Sequence, residues 1–446
     1  MTGPVIADIT VRAAKRDRPD GTDRGRGTDR DPSAGADRNR GAGSSDWDGG
    51  GLEMRFTFPT TGEVVDLPLP EGRARALREK AGIYLARVAR QAARLNASTG
   101  AAADALHTLH GAGGELIELL APDRRFLRLQ DAFRRAWPLW QQPDWSDPDQ
   151  PLPVVQVNCR EHTFPLELLP VFDLGPMPEP TTHDARVRAA SRFLGFTAQV
   201  RRTVATSTDA DRLIRNDPVL PVQFLRHRGL FNAVQEEGFL ASLTDHVRVD
   251  GPWPMQGDEK EVRAALIEAL YTGRSMNGGP PVQIHHFACH CDTTTRLDDD
   301  YTLRLSTKRG GGRNVSLGQL RRAYRERYAL DRDDRQHRAI VILNACASSH
   351  TDPLTAASFA QWFVASGHRA FIGTETDVPD AVAAGFAGAF YGRLLESRRA
   401  LGDAVVWARR DLLRDFRNPL GLLYVVYGDT DLRVERARPG VYRSMN

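Results

Sequence analysis

Two short apolar runs decide the fold of this chain. They are Pro281-Val282-Gln283-Ile284-His285-His286-Phe287-Ala288-Cys289-His290 and Ala339-Ile340-Val341-Ile342-Leu343-Asn344-Ala345-Cys346. Each is short and mainly apolar, each ends in a reactive side chain, and a helical stretch over 320–328 lies between them. That combination reads as two strands of a parallel sheet joined by a crossover. In open α/β sheets, chemistry collects just beyond the carboxyl ends of such strands. His290 and Cys346 both fall at that edge, and a thiol beside an imidazole is the minimum equipment for attack by sulfur.

Working outward, strand and helix signals alternate as in a doubly wound sheet. Strands are predicted over 154–158, 222–225 and 247–249, with a helix over 230–243. Asp258 and Glu261 read as a capping box ahead of Val262, Leu266 and Leu270. Segments 301–307 and 314–317 flank Gly310-Gly311-Gly312 as a hairpin with a flexible tip. A helix over 355–366 is stopped by Gly367, then come a strand at 371–373, two helices and a strand over 422–427.

Upstream, Met54, Phe56 and Phe58 alternate, Pro59 to Gly62 turn, and Val65, Leu67 and Leu69 alternate again, which is a hairpin signal. Leu77, Ala81, Tyr84, Leu85, Val88 and Leu95 mark one helical face. A second helix holds Leu106, Leu109, Leu116 and Leu120 but is weakened by Gly111, Gly113 and Gly114, and an aromatic-rich helix follows over 126–140. The resulting division is a disordered Arg/Asp/Gly-rich tail over 1–50, a small β-hairpin and helical module over 51–150, and an α/β domain over 151–446.

The charge is near balance, 60 basic against 57 acidic residues, so there is no electrostatic case for nucleic acid or an anionic membrane. No run is long enough to span a bilayer and no signal peptide is read, and four cysteines without regular spacing make no disulfide framework. The expected location is the cytoplasm.

A free thiol with pKa about 8.5 is mostly protonated at neutral pH, so Cys346 needs a base, and His290 supplies one. A helix predicted after Cys346 would favour thiolate further. The backbone N–H groups of Cys346 and Cys291 are the candidate oxyanion donors. Other readings compete. Free Cys is often a buried core residue, so His290 and Cys346 could be unrelated. His286, Cys289, His290 and Cys291 could be read as zinc ligands, but alternate strand residues face opposite ways, so no metal or other cofactor is expected. His285 and His286 read as packing or supporting residues.

These motifs also resemble a known family. "HFACHC" and "VILNACASSH" resemble the histidine and cysteine motifs of the CHAT family of caspase-like peptidases, related to separase, gingipains and caspases. "SGHRAFIGTETDVPDAVAAGFAGAFYGRLLE" resembles the stretch after the nucleophile, "LYVVYGDTDLRV" the closing strand, and "FPLELLPVFD" the opening motif. The resemblance implies a caspase-like αβα sandwich with a mostly parallel sheet and a cysteine endopeptidase using His290 and Cys346. It implies a protein substrate cut in a regulated defence or cell-death pathway. The family commonly has Gly after the histidine, where this chain has Cys291. In separase-like relatives the segment holding Asp377 and Asp380 lines the substrate pocket, where an acidic residue would receive a basic side chain. Asp380 also fits a helix N-cap, and the further acidic position falls near Ala384. A silent caspase-fold binding module is the rival reading. Restraint of a cytoplasmic peptidase implies an activating protein partner or self-association, with the module over 51–150 as the receiving surface.

Overall fold

The structure is a computed structural model that describes residues 3–13, 52–122, 124–147, 149–159, 164–177, 179–203, 212–214, 219–253, 259–274, 281–293, 301–308, 311–328, 339–345 and 355–435. The N-terminal third contributes β1 (Val5–Ala13), the hairpin β2 (Leu52–Phe58) and β3 (Glu63–Leu69), and helices α1 (Glu71–Gln91), α2 (Thr99–Leu120) and α3 (Arg125–Ala136). Then follow β4 (Val154–Cys159), α4 (His183–Ala190), the short α5 (Leu194–Thr197), β5 (Gln199–Thr203) and β6 (Leu213–Ile214). The central part runs β7 (Leu220–Arg226), α6 (Ala233–Ser242), β8 (Val247–Trp253), α7 (Glu259–Thr272), β9 (Ile284–Thr293), β10 (Tyr301–Lys308), β11 (Gly311–Ser316) and α8 (Leu317–Ala323). The chain closes with β12 (Ile340–Ala345), α9 (Thr355–Ala365), β13 (Ala370–Thr374), α10 (Asp380–Tyr391), α11 (Leu401–Phe416), β14 (Tyr424–Gly428) and β15 (Arg433–Val434).

Among the described residues one large sheet runs β11-β10-β9-β12-β13-β14-β5-β4-β1-β2-β3, with β7 and β8 branching from β9, while β6 and β15 pair separately. The pairs that carry the two decisive runs, β7–β9, β9–β12 and β12–β13, are all parallel. Helices cover both faces. On one, α6, α10 and α11 pack Leu240, Phe386 and Leu412 against Ile284, Ala288, Ile342 and Ile372. On the other, α7, α8 and α9 pack Leu266, Leu320 and Phe363 against Phe287, Val341 and Phe371. The fold is therefore α/β, an αβα sandwich on a mostly parallel sheet, as expected.

One expectation is corrected. Residues 5–13 are not part of a disordered tail: β1 inserts between the β2–β3 hairpin and β4, antiparallel to the first and parallel to the second. Ile6, Ala7 and Ile9 are fully buried there, which supplies the apolar area that a composition averaged over fifty residues hides. The hairpin thus continues the main sheet rather than standing apart. The rest of the predicted tail, 1–2 and 14–50, lies outside the described residues, as does Asp258 of the predicted capping box.

Helix α3 lies on this extension, while α1 and α2 bridge it to the main core through Leu85, Val88, Leu106 and Leu109. Phe133 is buried against Phe56, Phe58 and Phe172, and Trp140 stacks on Phe172. Helix α2 runs unbroken through Gly111, Gly113 and Gly114. A Cβ at Gly113 would stand 2.4 Å from Pro170 Cδ and 2.6 Å from the Leu168 carbonyl oxygen, so the glycine permits a close approach to the 165–170 segment.

Candidate active site

Strand β9 changes partners where the chemistry is expected. Over Ile284 to Ala288 it pairs with β7, ending at Arg226 opposite Ala288. From His290 to Thr293 it pairs with the antiparallel β10, with Arg304 opposite His290 and Leu303 opposite Cys291. The strand therefore does not stop at His290, as the sequence suggests, because β10 takes over the ladder that β7 leaves. On the other side of β9, β12 ends with Ala345 opposite Cys289. Ala345 is the last described residue of β12, and His290 and Cys346 are each the next residue in sequence after the facing pair Cys289 and Ala345. Cys346 itself lies outside the described residues.

His290 is half-buried. Its ring meets His227 edge to face, with centroids 4.6 Å apart and planes at 72°. His227 follows β7 directly, and its backbone N–H donates to the Ala288 carbonyl at 2.8 Å. Its side chain is buried, and its Nδ1 accepts the Gly229 N–H at 3.1 Å.

Beneath this edge lies a fully enclosed polar cluster. Glu236 Oε2, from α6, accepts from His286 Nε2 at 2.7 Å and from Asn344 Nδ2 at 2.8 Å. The Asn344 amide also donates to the Ala383 carbonyl at 3.1 Å, and the Tyr424 hydroxyl donates to Asn344 Oδ1 at 2.6 Å. On the other side of the His286 ring, Nδ1 lies 3.0 Å from the Tyr391 hydroxyl. Burial, and then the Glu236 charge, push the Tyr391 phenol well above its ordinary value. Asn344, two residues before Cys346, is thereby clamped by α6, α10 and β14.

The adjacent His285 faces the other way. Its Nδ1 lies 2.9 Å from Gln223 Oε1, and burial pushes its pKa down to about 3. Cys289 and Cys291 share that second face, in the core with Phe287 and Leu303, whereas His286 and, by alternation, His290 belong to the first. The four residues weighed as zinc ligands are thus split across the sheet. Among the described residues no three His, Cys, Asp or Glu are grouped to hold a metal ion. No described helix is long and apolar enough to cross a membrane.

Asp377 lies half-buried in the segment after β13, and Asp380 is the first residue of α10, whose N-cap position is Pro379. Asp380 does cap a helix, but another one: its Oδ2 accepts the Asn232 backbone N–H at 2.6 Å and the Asn232 side-chain amide at 3.0 Å, at the start of α6. Its Oδ1 is buried with no hydrogen-bond partner among the described residues.

Sequence reasoning missed His227, Glu236, Asn344 and Tyr424. Only the last two carried a readable signal, a polar residue interrupting or ending an apolar strand. Glu236 sits inside a helix whose pattern does not set it apart from Glu237, although one is buried and the other pairs with Arg226 at 3.0 Å.

Comparisons with known proteins bear on this geometry. Residues 208–432 match the family model described as the CHAT domain. A protein from Vitiosangium sp. (strain GDMCC 1.1324) described as a probable protease is 34% identical over 104 residues, 23% of this chain and 13% of that protein. Two chains from Saccharomyces cerevisiae separase–securin complexes are similar in structure at 10% identity. One, at 3.0 Å resolution, has a TM-score of 0.44 and covers 97% of this chain and 30% of its own. The other, at 2.6 Å, has a TM-score of 0.39 and covers 87% and 29%.

Proposed function

This chain belongs to the CHAT family of caspase-like peptidases, and from that premise we propose that it is a cysteine endopeptidase in which Cys346 is the nucleophile and His290 the general base and acid. The observation that carries the reading is the register: Cys289 on β9 faces Ala345 on β12, and His290 and Cys346 are the next residues in sequence after that pair. His290 takes the thiol proton, the sulfur attacks the scissile carbonyl, and the backbone N–H groups of Cys346 and Cys291 receive the oxyanion. The imidazolium then protonates the leaving amine, and water hydrolyses the thioester that remains. Proton transfer of this kind contributes roughly 10²–10⁴-fold.

The substrate is a protein, cut after a basic side chain received by Asp377 and Asp380. The buried Oδ1 of Asp380, which has no hydrogen-bond partner among the described residues, supports this, because an uncompensated carboxylate oxygen gains from a cation. Action in the cytoplasm, within a defence or cell-death pathway and under an activating partner or self-association, rests on family analogy.

A cleavage screen against proteins encoded by neighbouring genes tests the reading. Cys346→Ala and His290→Ala should each abolish cleavage, since base and nucleophile act as a unit, while His285→Ala should leave it standing. Cleavage that survives Cys346→Ala would overturn the assignment.

A further inference from the structure

A second histidine stands at the site without a role. A lone imidazole just past a strand end normally points to solvent, yet His227 is only 9% exposed. Four restraints hold it. Its backbone N–H is bonded to Ala288, two residues before His290 on the neighbouring strand. Its carbonyl accepts the Leu230 N–H at 3.1 Å, closing a turn. Its Nδ1 takes the Gly229 N–H, and a Cβ at Gly229 would stand 3.0 Å from both Cε1 and Nδ1, so the glycine leaves room for the ring. Its ring then lies against that of His290.

We propose, resting on the peptidase reading above, that His227 is a positioning residue whose ring holds the His290 imidazole in the orientation from which it exchanges a proton with the Cys346 sulfur. The Gly229 amide fixes the chemistry of His227. An amide N–H only donates, so Nδ1 must keep its lone pair, and a second proton there would set one N–H against another. While Nδ1 holds that bond, His227 does not offer it to the thiol proton. It acts as a wall rather than a base. An unwalled ring would sample orientations away from the thiol, and a displacement of about 1 Å can cost on the order of a hundredfold in rate.

Two measurements on the full chain test this without knowledge of the substrate. The first is alkylation of Cys346 by iodoacetamide near neutral pH, followed by peptide mapping, which reads how well His290 holds the sulfur as thiolate. His227→Phe, which keeps a ring, should react within about twofold of the unaltered protein. His227→Gln keeps an acceptor for Gly229 but has no ring, and should react on the order of ten- to a hundredfold more slowly, as should His227→Ala. The second is the NMR shift of the His290 ring protons in histidine-labelled protein. The ring current of residue 227 should displace them in the unaltered and Phe forms and not in the Gln form.

A reactive Cys346 that is indifferent to His227→Gln, or unmoved His290 ring shifts in that variant, overturns the role of His227 alone. An unreactive Cys346 in the unaltered protein overturns the peptidase reading and the role built on it. Loss of reactivity near neutral pH in His227→Phe with retention in His290→Ala would make His227 the base, and also overturns the proposal.

Discussion

In the middle of the sheet Glu167 accepts from both terminal nitrogens of Arg202, Nη1 at 2.6 Å, and lies 3.5 Å from Arg409 Nη2. At the carboxyl ends of β9 and β12, Glu236 takes its bonds from His286 and Asn344. Both carboxylates are essentially inaccessible to solvent, but their partners differ in kind. Burial alone would raise the Glu167 carboxyl; the two guanidinium groups outweigh it and hold it below its ordinary value. Arginine stays charged at any relevant pH, so this cluster has one composition under all conditions. It also joins segments far apart in sequence: the 165–170 segment, β5 and α11. The Glu236 cluster is built from a weak base, an amide and hydroxyls, and one carboxylate oxygen, Oε1, has no hydrogen-bond partner among the described residues. Both clusters leave a buried atom without a hydrogen-bond partner among the described residues, Arg202 Nε and Arg409 Nε in the first and Glu236 Oε1 in the second, so the contrast lies in the kind of partner: the first arrangement suits assembly of the sheet, and the second places side chains below a reactive edge.

The sharpest way to break the comparison is Glu167→Ala. It leaves Arg202 and Arg409 buried without their carboxylate, and breaking a buried pair in this way costs about 3–5 kcal/mol. Equilibrium urea unfolding should show the loss, and a change below about 1 kcal/mol would mean that the cluster is not what holds these segments.

The next effect lies on β9 itself and depends on pH. His285 is neutral in the fold with a pKa near 3, against roughly 6.5 when unfolded. The unfolded chain therefore binds the proton first as pH falls. The contribution of His285 is complete above about pH 6.5 and is lost progressively down to about 3, at up to roughly 1.4 kcal/mol per unit. His285→Gln should flatten this acid limb. An identical limb in the variant would assign the acid sensitivity to other groups.

How much of this could be read beforehand follows the same division. The apolar strands around His290 and Cys346, the hairpin of Met54 to Leu69 and the helix faces were legible, because periodicity reports burial directly. Strand β5, Gln199-Val200-Arg201-Arg202-Thr203, was not, since its arginines are tolerable only with Glu167 and Asp431 supplied from elsewhere. Strand β1 was hidden by the Arg-rich composition that follows it. The cluster below the site was illegible for a related reason: nothing local tells Glu236 from Glu237, and only the fold brings His286, Asn344 and Tyr424 to one of them.

A smaller effect is expected from Glu236→Gln. The amide oxygen can keep both bonds that Oε2 accepts, but it replaces a charged acceptor by a neutral one and puts a buried N–H2 donor where Oε1 has no partner among the described residues, at a cost of about 1–3 kcal/mol. The more telling readout is alkylation of Cys346, which should slow if Asn344 loses its orientation. Unchanged reactivity together with lost stability would make the cluster a second structural clamp and erase the contrast with Glu167.

Tyr424 belongs to both clusters and gives the finest test. Its backbone carbonyl accepts from Arg409 Nη2 at 2.5 Å, while its hydroxyl donates to Asn344 at 2.6 Å. Its ring stacks on Phe386 with centroids 3.5 Å apart, a contact that phenylalanine would retain. Tyr424→Phe therefore removes one bond from the site cluster and none from the arginine cluster, at a cost of about 1 kcal/mol. The decisive quantity is its coupling. Combined with Glu236→Gln it should be non-additive, because both changes act on the same Asn344 amide. Combined with Glu167→Gln it should be additive to within about 0.5 kcal/mol, because the carbonyl that faces Arg409 is untouched. Strong coupling to Glu167 instead would mean that β14 transmits strain between the two clusters, so that the sheet's anchor and the site's support are a single unit.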